Sequence, residues 1–202
     1  MNATFNRFAT AGLLIVLAAC SQSGSSPQAQ PDDPAAFVAF MRKAVDYDFT
    51  VFETPRALAD ASSLVVVGRV TDVLPGRTID GIGTHATLVV AVERVVRGSA
   101  EQLSDGKAYV EVVTSAGSTV EQYRSSAPAG RAIFFLDDRT NIPANGTSGA
   151  PDGARVFAPI PPGLVFEDGA RFVGGYEDLH TMPEKWLLPA TFDEFVRSAE
   201  SG

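Results

Sequence analysis

Between Leu64 and Val73 the chain reads Leu-Val-Val-Val-Gly-Arg-Val-Thr-Asp-Val. The first half is apolar and β-branched, and the second alternates polar with apolar residues. That pattern predicts a strand buried on both faces where it begins and half-exposed where it ends. Gly68 interrupts the run where a bulge or sharp bend would let the strand curl around a barrel. In Thr84–Val96, Thr87, Val89, Ala91, Glu93 and Val95 alternate with Leu88, Val90, Val92, Arg94 and Val96, which predicts a second long strand ending at Arg97-Gly98. Further strands are expected at Tyr109–Val113, Ser118–Tyr123, Ala132–Leu136, Arg155–Ala158, Gly163–Phe166 and Arg171–Tyr176. Pro75-Gly76-Arg77 and Pro128–Arg131 read as turns, and Thr140–Gly153 as a loop without apolar period.

Helical spacing is confined to the ends of this strand series. Phe37, Val38, Phe40, Met41 and Val45 recur at helical intervals, so Ala35–Val45 is expected to be a short amphipathic helix with Asp33 or Pro34 at its start. Thr54-Pro55 reads as an N-cap followed by proline at the first helical position, opening a second helix to about Ala61. Thr191 can cap a last helix, with Phe192, Phe195 and Val196 on one face and Asp193 and Glu194 in the favourable first turn. The class expected is mainly β with short flanking helices, in one domain spanning 35–202. A chain of 202 residues is long enough for one such core and cramped for two.

The stretch ahead of the domain has a different character. Leu13–Ala19 is an apolar run too short to span a bilayer, and it ends in Leu17-Ala18-Ala19-Cys20. These residues resemble the lipobox of bacterial lipoproteins, in which the cysteine becomes the lipidated first residue of the mature chain. The resemblance implies a signal peptide over 1–19 and a membrane attachment through lipid on Cys20. It places the protein at the cell envelope, on the outer face of the cytoplasmic membrane or at an outer membrane. An ordinary secretory signal cleaved after Ala19 is the alternative. Ser21–Pro34 is rich in Ser, Gln and Pro and lacks apolar period, so 20–34 reads as the lipidated cysteine and a disordered spacer with a reach of roughly 20 Å.

Within the domain, Leu64-Val65-Val66-Val67-Gly68-Arg69-Val70, Val92–Gly98, Val110-Glu111-Val112-Val113 and Gly130–Leu136 together resemble exported bacterial proteins with an OB-like, netrin-like barrel. The resemblance implies a partly open, five-stranded Greek-key β-barrel over roughly 55–140. The animal protease inhibitors of that group grip zinc through an N-terminal cysteine that this domain lacks, so their function does not carry over. Whether Arg155–Tyr176 extends the barrel or forms a separate hairpin layer stays open.

Charge and cysteine narrow the function. The formal net charge is −8, and −9 without the first 19 residues, which argues against nucleic acid and against a basic face on anionic lipid. With Cys20 the sole cysteine, an intrachain disulfide and a thiolate metal cluster are both excluded. His85 and His180 show none of the usual ligand spacings with Asp80, Glu177 or Asp178, so both read as surface or loop histidines and no metal or cofactor is expected. Gly146-Thr147-Ser148-Gly149 misses the nucleophile-elbow pattern by one position. Asn145-Gly146-Thr147 reads as a turn although it matches a glycosylation sequon. Gly81-Ile82-Gly83 precedes a strand where a phosphate loop needs a helix. Asp137-Asp138, with Asn141, offers oxygen ligands but lacks the rest of a calcium loop, so it reads as a solvated strand end that blocks edge pairing. Phe134, Phe135, Phe157, Phe166, Phe172 and Trp186 read as core.

The expected function is therefore that of a non-catalytic, lipid-anchored binding module with an envelope protein partner or a ligand. Pro75–Gly83 and Asp137–Asp152 are the stretches on which recognition would sit. An envelope hydrolase assembled from distant residues, among them Asp137, Asp138 and His85, and a passive structural lipoprotein are the alternatives.

Overall fold

A computed structural model describes residues 33–43 and 49–200. Cys20, the leader and the spacer up to residue 32 lie outside the described residues, as does Val45 at the end of the first expected helix. The described residues form helices α1 (Pro34–Met41), α2 (Pro55–Ala61), α3 (Val120–Ser126) and α4 (Phe192–Glu200). The strands are β1 (Leu64–Ile79), β2 (Gly83–Arg97), β3 (Lys107–Val113), β4 (Arg131–Asp138), β5 (Val156–Asp168) and β6 (Arg171–Gly174). They lie in the order β3-β2-β1-β4-β5-β6, each antiparallel to its neighbour. A short parallel pairing of β3 with β5, Tyr109 against Val156 and Val110 against Phe157, brings the sheet round on itself. The ring β1-β2-β3-β5-β4 is thus a five-stranded, partly open β-barrel of OB-like type, with β6 appended to β5. Arg155–Tyr176 supplies both the fifth stave of the barrel, β5, and its appended edge, β6.

The apolar run at Leu64 is continuous because both faces of β1 are covered. Leu64, Val66, Val70 and Val73 point into the barrel with Leu88, Val90, Val110, Val112, Phe134 and Leu164. Val65 and Val67 point the other way, with Ile133, Phe135 and Val165, into a second cluster roofed by Leu58 of α2, Phe192 and Phe195 of α4, and Trp186. Each large side chain buried this way contributes about 1.5–3 kcal/mol. Helix α1 lies against the barrel interior, its Phe37 edge-on to Phe166 at 5.6 Å and to Tyr123 at 6.3 Å. Of the aromatics, Phe134, Phe135, Phe157, Phe166 and Trp186 are fully buried and Phe172 packs partly buried against the outer cluster.

Several local choices follow from the chemistry of single residues. The Thr54 hydroxyl accepts from the Ala57 N–H at 3.0 Å with Pro55 at the first helical position. Asp33 caps α1 in the same way, with Pro34 at the first helical position. Thr191 accepts from the Glu194 N–H and starts α4. At Gly68 the β1–β2 register shifts, and a Cβ there would collide with the Ala91 carbonyl oxygen. The bend is therefore tied to glycine.

Three expectations are corrected. Pro75-Gly76-Arg77 is no turn: β1 runs on to Ile79, and the register shift between Pro75 and Thr78 absorbs the proline as a bulge. Ser118–Tyr123 is not a strand. Thr119 and Gln122 form a reciprocal capping box that opens α3. Arg155–Ala158 and Gly163–Phe166 are one strand, β5. Pro161 and Pro162 sit between its two paired stretches, at the irregularity where Leu136 pairs with Pro159 and Phe134 with Leu164, outside the regular ladder.

Candidate functional site

In β2, Ala86, Leu88 and Val90 enter the barrel core, which puts His85 and Thr87 on the opposite face. In β3, Val110 and Val112 do the same, and Glu111 falls between them opposite Thr87. All three polar residues are buried, Glu111 to 1% exposure. A carboxylate at such depth needs a cation and donors for both oxygens.

Arg77, on the bulged part of β1, supplies them. Its Nε donates to Oε1 at 2.9 Å and Oε2 at 3.2 Å, and Nη2 donates to Oε2 at 2.9 Å. Its backbone N–H adds a fourth bond to Oε1 at 3.1 Å. The same guanidinium donates from Nη2 to the Arg139 carbonyl at 2.9 Å and from Nη1 to the Ile142 carbonyl at 3.4 Å. The segment after β4 is thereby drawn onto this face of the sheet. Two backbone bonds between Thr78 and Asn145, 2.9 and 2.8 Å, hold it further along. On the other side, the Arg77 carbonyl oxygen lies 3.0 Å from His85 Nδ1. A carbonyl only accepts, so Nδ1 carries the hydrogen of this bond. Gly76 allows the approach: a Cβ there would lie 2.6 Å from the His85 carbonyl oxygen.

Beside this network is a cavity of about 230 Å³. His85, Glu111, Arg139 and Tyr176 provide its polar wall. Ile79 and Ile82 of the β1–β2 hairpin, Val113 of β3, Phe49 and the β5 prolines Pro159 and Pro161 provide the apolar one. Arg139 pairs with Asp137 through Nη2 at 3.2 Å, while its Nε is buried without a hydrogen-bond partner among the described residues. The stretches Pro75–Gly83 and Asp137–Asp152 thus meet in the wall of one cavity, the first as a strand end and hairpin rather than a loop.

The other residues singled out in the sequence are dispersed. His85 is a buried strand residue and not a surface one, whereas His180 is exposed in a 3-10 turn capped by Asp178. Asp80 accepts from the Asn145 amide at 3.4 Å, and the Glu177 carbonyl accepts from Arg42 at 2.8 Å. Asp137 and Asp138 do not guard a sheet edge, because β4 lies between β1 and β5 and both residues pair with β5. Burial raises the Asp138 carboxyl, but the Thr140 hydroxyl and N–H, with Arg155, together hold it below the usual carboxylate range. Asn141 and the Gly146–Gly149 stretch lie in the loop, and Gly81 and Gly83 take positive φ at the hairpin tip. Among the described residues no three His, Cys, Asp or Glu side chains are grouped so as to hold a metal ion.

Sequence reasoning missed Arg77, Glu111 and Arg139. The available signal was Glu111 inside Tyr-Val-Glu-Val-Val, a charge in a strand otherwise apolar on both faces. Its partner was one of 13 arginines, and nothing local distinguishes Arg77. Compared with known proteins, the chain matches no family model, no curated protein and no solved structure.

Proposed function

We propose that the protein is a lipid-anchored binding module of the bacterial cell envelope, tethered through Cys20 and recognising its ligand or partner at the barrel end formed by the β1–β2 hairpin and the Asp137–Asp152 stretch. The observation that carries the reading is the cavity of about 230 Å³ at that end, its polar wall fixed by the buried Arg77–Glu111 pair. A ligand site needs a few polar groups held rigidly within an apolar wall. The tether rests on the Leu17–Cys20 motif and the Ser- and Pro-rich segment behind it. Several acyl chains, at about 0.8 kcal/mol per buried methylene, would hold such a chain at a bilayer almost permanently.

The test compares the full chain with its Cys20→Ala variant in a bacterial host. Cells are fed an alkyne fatty acid, membranes are separated, and neighbours are crosslinked in place and identified by mass spectrometry. Label on the wild type alone, with membrane recovery and a recurring neighbour lost on Ile82→Asp, supports the reading. Equal labelling of both chains removes the anchor. Capture that Ile82→Asp leaves unchanged removes this barrel end as the recognition surface.

A further inference from the structure

We propose that the cavity beside the Arg77–Glu111 pair binds a small uncharged molecule, a hydroxyl on a compact apolar body, with the hydroxyl donating to Nε2 of His85. This rests on the reading of the domain as a binding module and names the chemistry of its ligand.

The pairing of the charges in the wall decides that the ligand carries none. Arg77 occupies both oxygens of Glu111 with four bonds. The Arg139 guanidinium is paired with Asp137 at 3.2 Å. Neither pair leaves a charge for an ion to meet, and an ion drawn out of water without a counter-charge is strongly disfavoured. The His85 ring is the polar group with a position to spare. It is buried to 5% exposure, and the bond between Nδ1 and the Arg77 carbonyl fixes its orientation. Its Nε2 makes no bond among the described residues and, unlike the Arg139 Nε, is not sealed off. With the hydrogen on Nδ1, the neutral ring carries its lone pair on Nε2 and calls for a donor. A hydroxyl supplies that donor without bringing a charge.

The remaining wall and the volume set the body of the ligand. Ile79, Ile82, Val113 and Pro159 are apolar and belong to strands or the hairpin between them, so they form a fixed surface. About 230 Å³ is the share of roughly seven or eight liquid waters and lies below the range of about 300–1,000 Å³ usual for drug-sized ligands. A body of roughly ten non-hydrogen atoms fits, and a nucleotide or an acylated lipid does not. A sugar is also a poor match, because most of its hydroxyls would be buried against apolar side chains without a partner.

The experiment uses the full chain in phosphatidylcholine nanodiscs at about pH 8, where an imidazole is ordinarily neutral. The probes are 4-fluorobenzyl alcohol, its methyl ether and 4-fluorobenzoate, followed by fluorine NMR, with empty nanodiscs to correct for partition into lipid. The alcohol is expected to bind about fivefold more tightly than the ether, the ratio that one neutral hydrogen bond supplies, and the benzoate to bind weakest. In the His180→Gln variant, which leaves His85 as the sole histidine, the alcohol is expected to move the Nε2 nitrogen resonance and the ether to leave it in place. His85→Phe is expected to abolish the preference for alcohol over ether, and the nitrogen spectrum keeps the test decisive if that variant fails to fold. Equal affinity for alcohol and ether, an Nε2 resonance that bound alcohol does not move, or tightest binding of the benzoate overturns the proposal. Binding of none of the probes overturns it as well. A chain that takes the acyl label and captures its neighbour at the hairpin yet ignores the alcohol loses this inference alone.

Discussion

Arg77 meets Glu111 with side chain and main chain together: its guanidinium reaches both carboxylate oxygens, and its own N–H binds Oε1 at 3.1 Å. The two are 34 residues apart in sequence and both are buried, at 9% and 1% exposure. Truncating either partner leaves the other buried without its counter-charge, so Arg77→Ala and Glu111→Ala should each lower stability by about 3–5 kcal/mol. The double change Arg77→Met with Glu111→Leu should lose less than either single one, because no charge is then left unpaired. Urea midpoints of the four chains, compared directly, check this.

A second ion pair sets the response to acid. Arg131 binds Glu167 through Nε at 2.9 Å and Nη2 at 2.6 Å, reaches Asp193 of α4 at 3.1 Å, and covers the Phe192 ring at 5.1 Å. The bond from Arg131, opposed by burial, holds the Glu167 carboxyl below its ordinary value of 4.5. The unfolded chain therefore takes up the proton first. Stability from this pair is complete above about pH 4.5 and is lost as pH falls through the lowered folded value. Asp138 acts in the same sense. Urea titrations between about pH 5 and pH 3 should show a falling midpoint, and Glu167→Gln should flatten part of that fall.

Gly68→Ala tests the bend in β1. The added methyl meets the Ala91 carbonyl oxygen and Val90 across the β1–β2 ladder, where both backbones are fixed. The expected loss is about 1–3 kcal/mol, read as a lowered thermal midpoint.

Trp186 ties the segment before α2 to the roof of the outer cluster, its Nε1–H donating to the Phe52 carbonyl at 2.7 Å. Trp186→Phe keeps most of the buried ring and removes that donor. A loss of about 1–3 kcal/mol is expected, provided the Phe52 carbonyl stays shielded from water. Thermal unfolding followed by circular dichroism reads it independently of the lost fluorophore.

The residues that announced their structure in the sequence did so through local rules. Leu64–Val67 could be read as doubly buried from composition, and Thr54-Pro55 as a helix start from capping chemistry. Thr119 and Gln122 carried the signal of α3 at capping-box spacing, although the expectation for Ser118–Tyr123 is a strand. The prolines at 75, 159, 161 and 162 misled for another reason. Their local meaning is to interrupt, but each falls within a strand whose pairing is displaced at bulges. The candidate site was the least legible part. Glu111, Arg77 and Arg139 come from three strands or strand ends, and their partnership is a property of the barrel's closure.

Closure itself rests on little. Tyr109 and Val110 of β3 meet Val156 and Phe157 of β5 over two pairs, while every other junction of the ring is an antiparallel ladder of six or more. Those pairs join stretches separated by α3, β4 and the long loop, so their loop-closure entropy comes due only after the hairpins have formed. The seam should thus knit last as the chain folds and part first when it breathes. Amide hydrogens near Val156 would then exchange ahead of those in the centre of β1, and the barrel would open like a clasp.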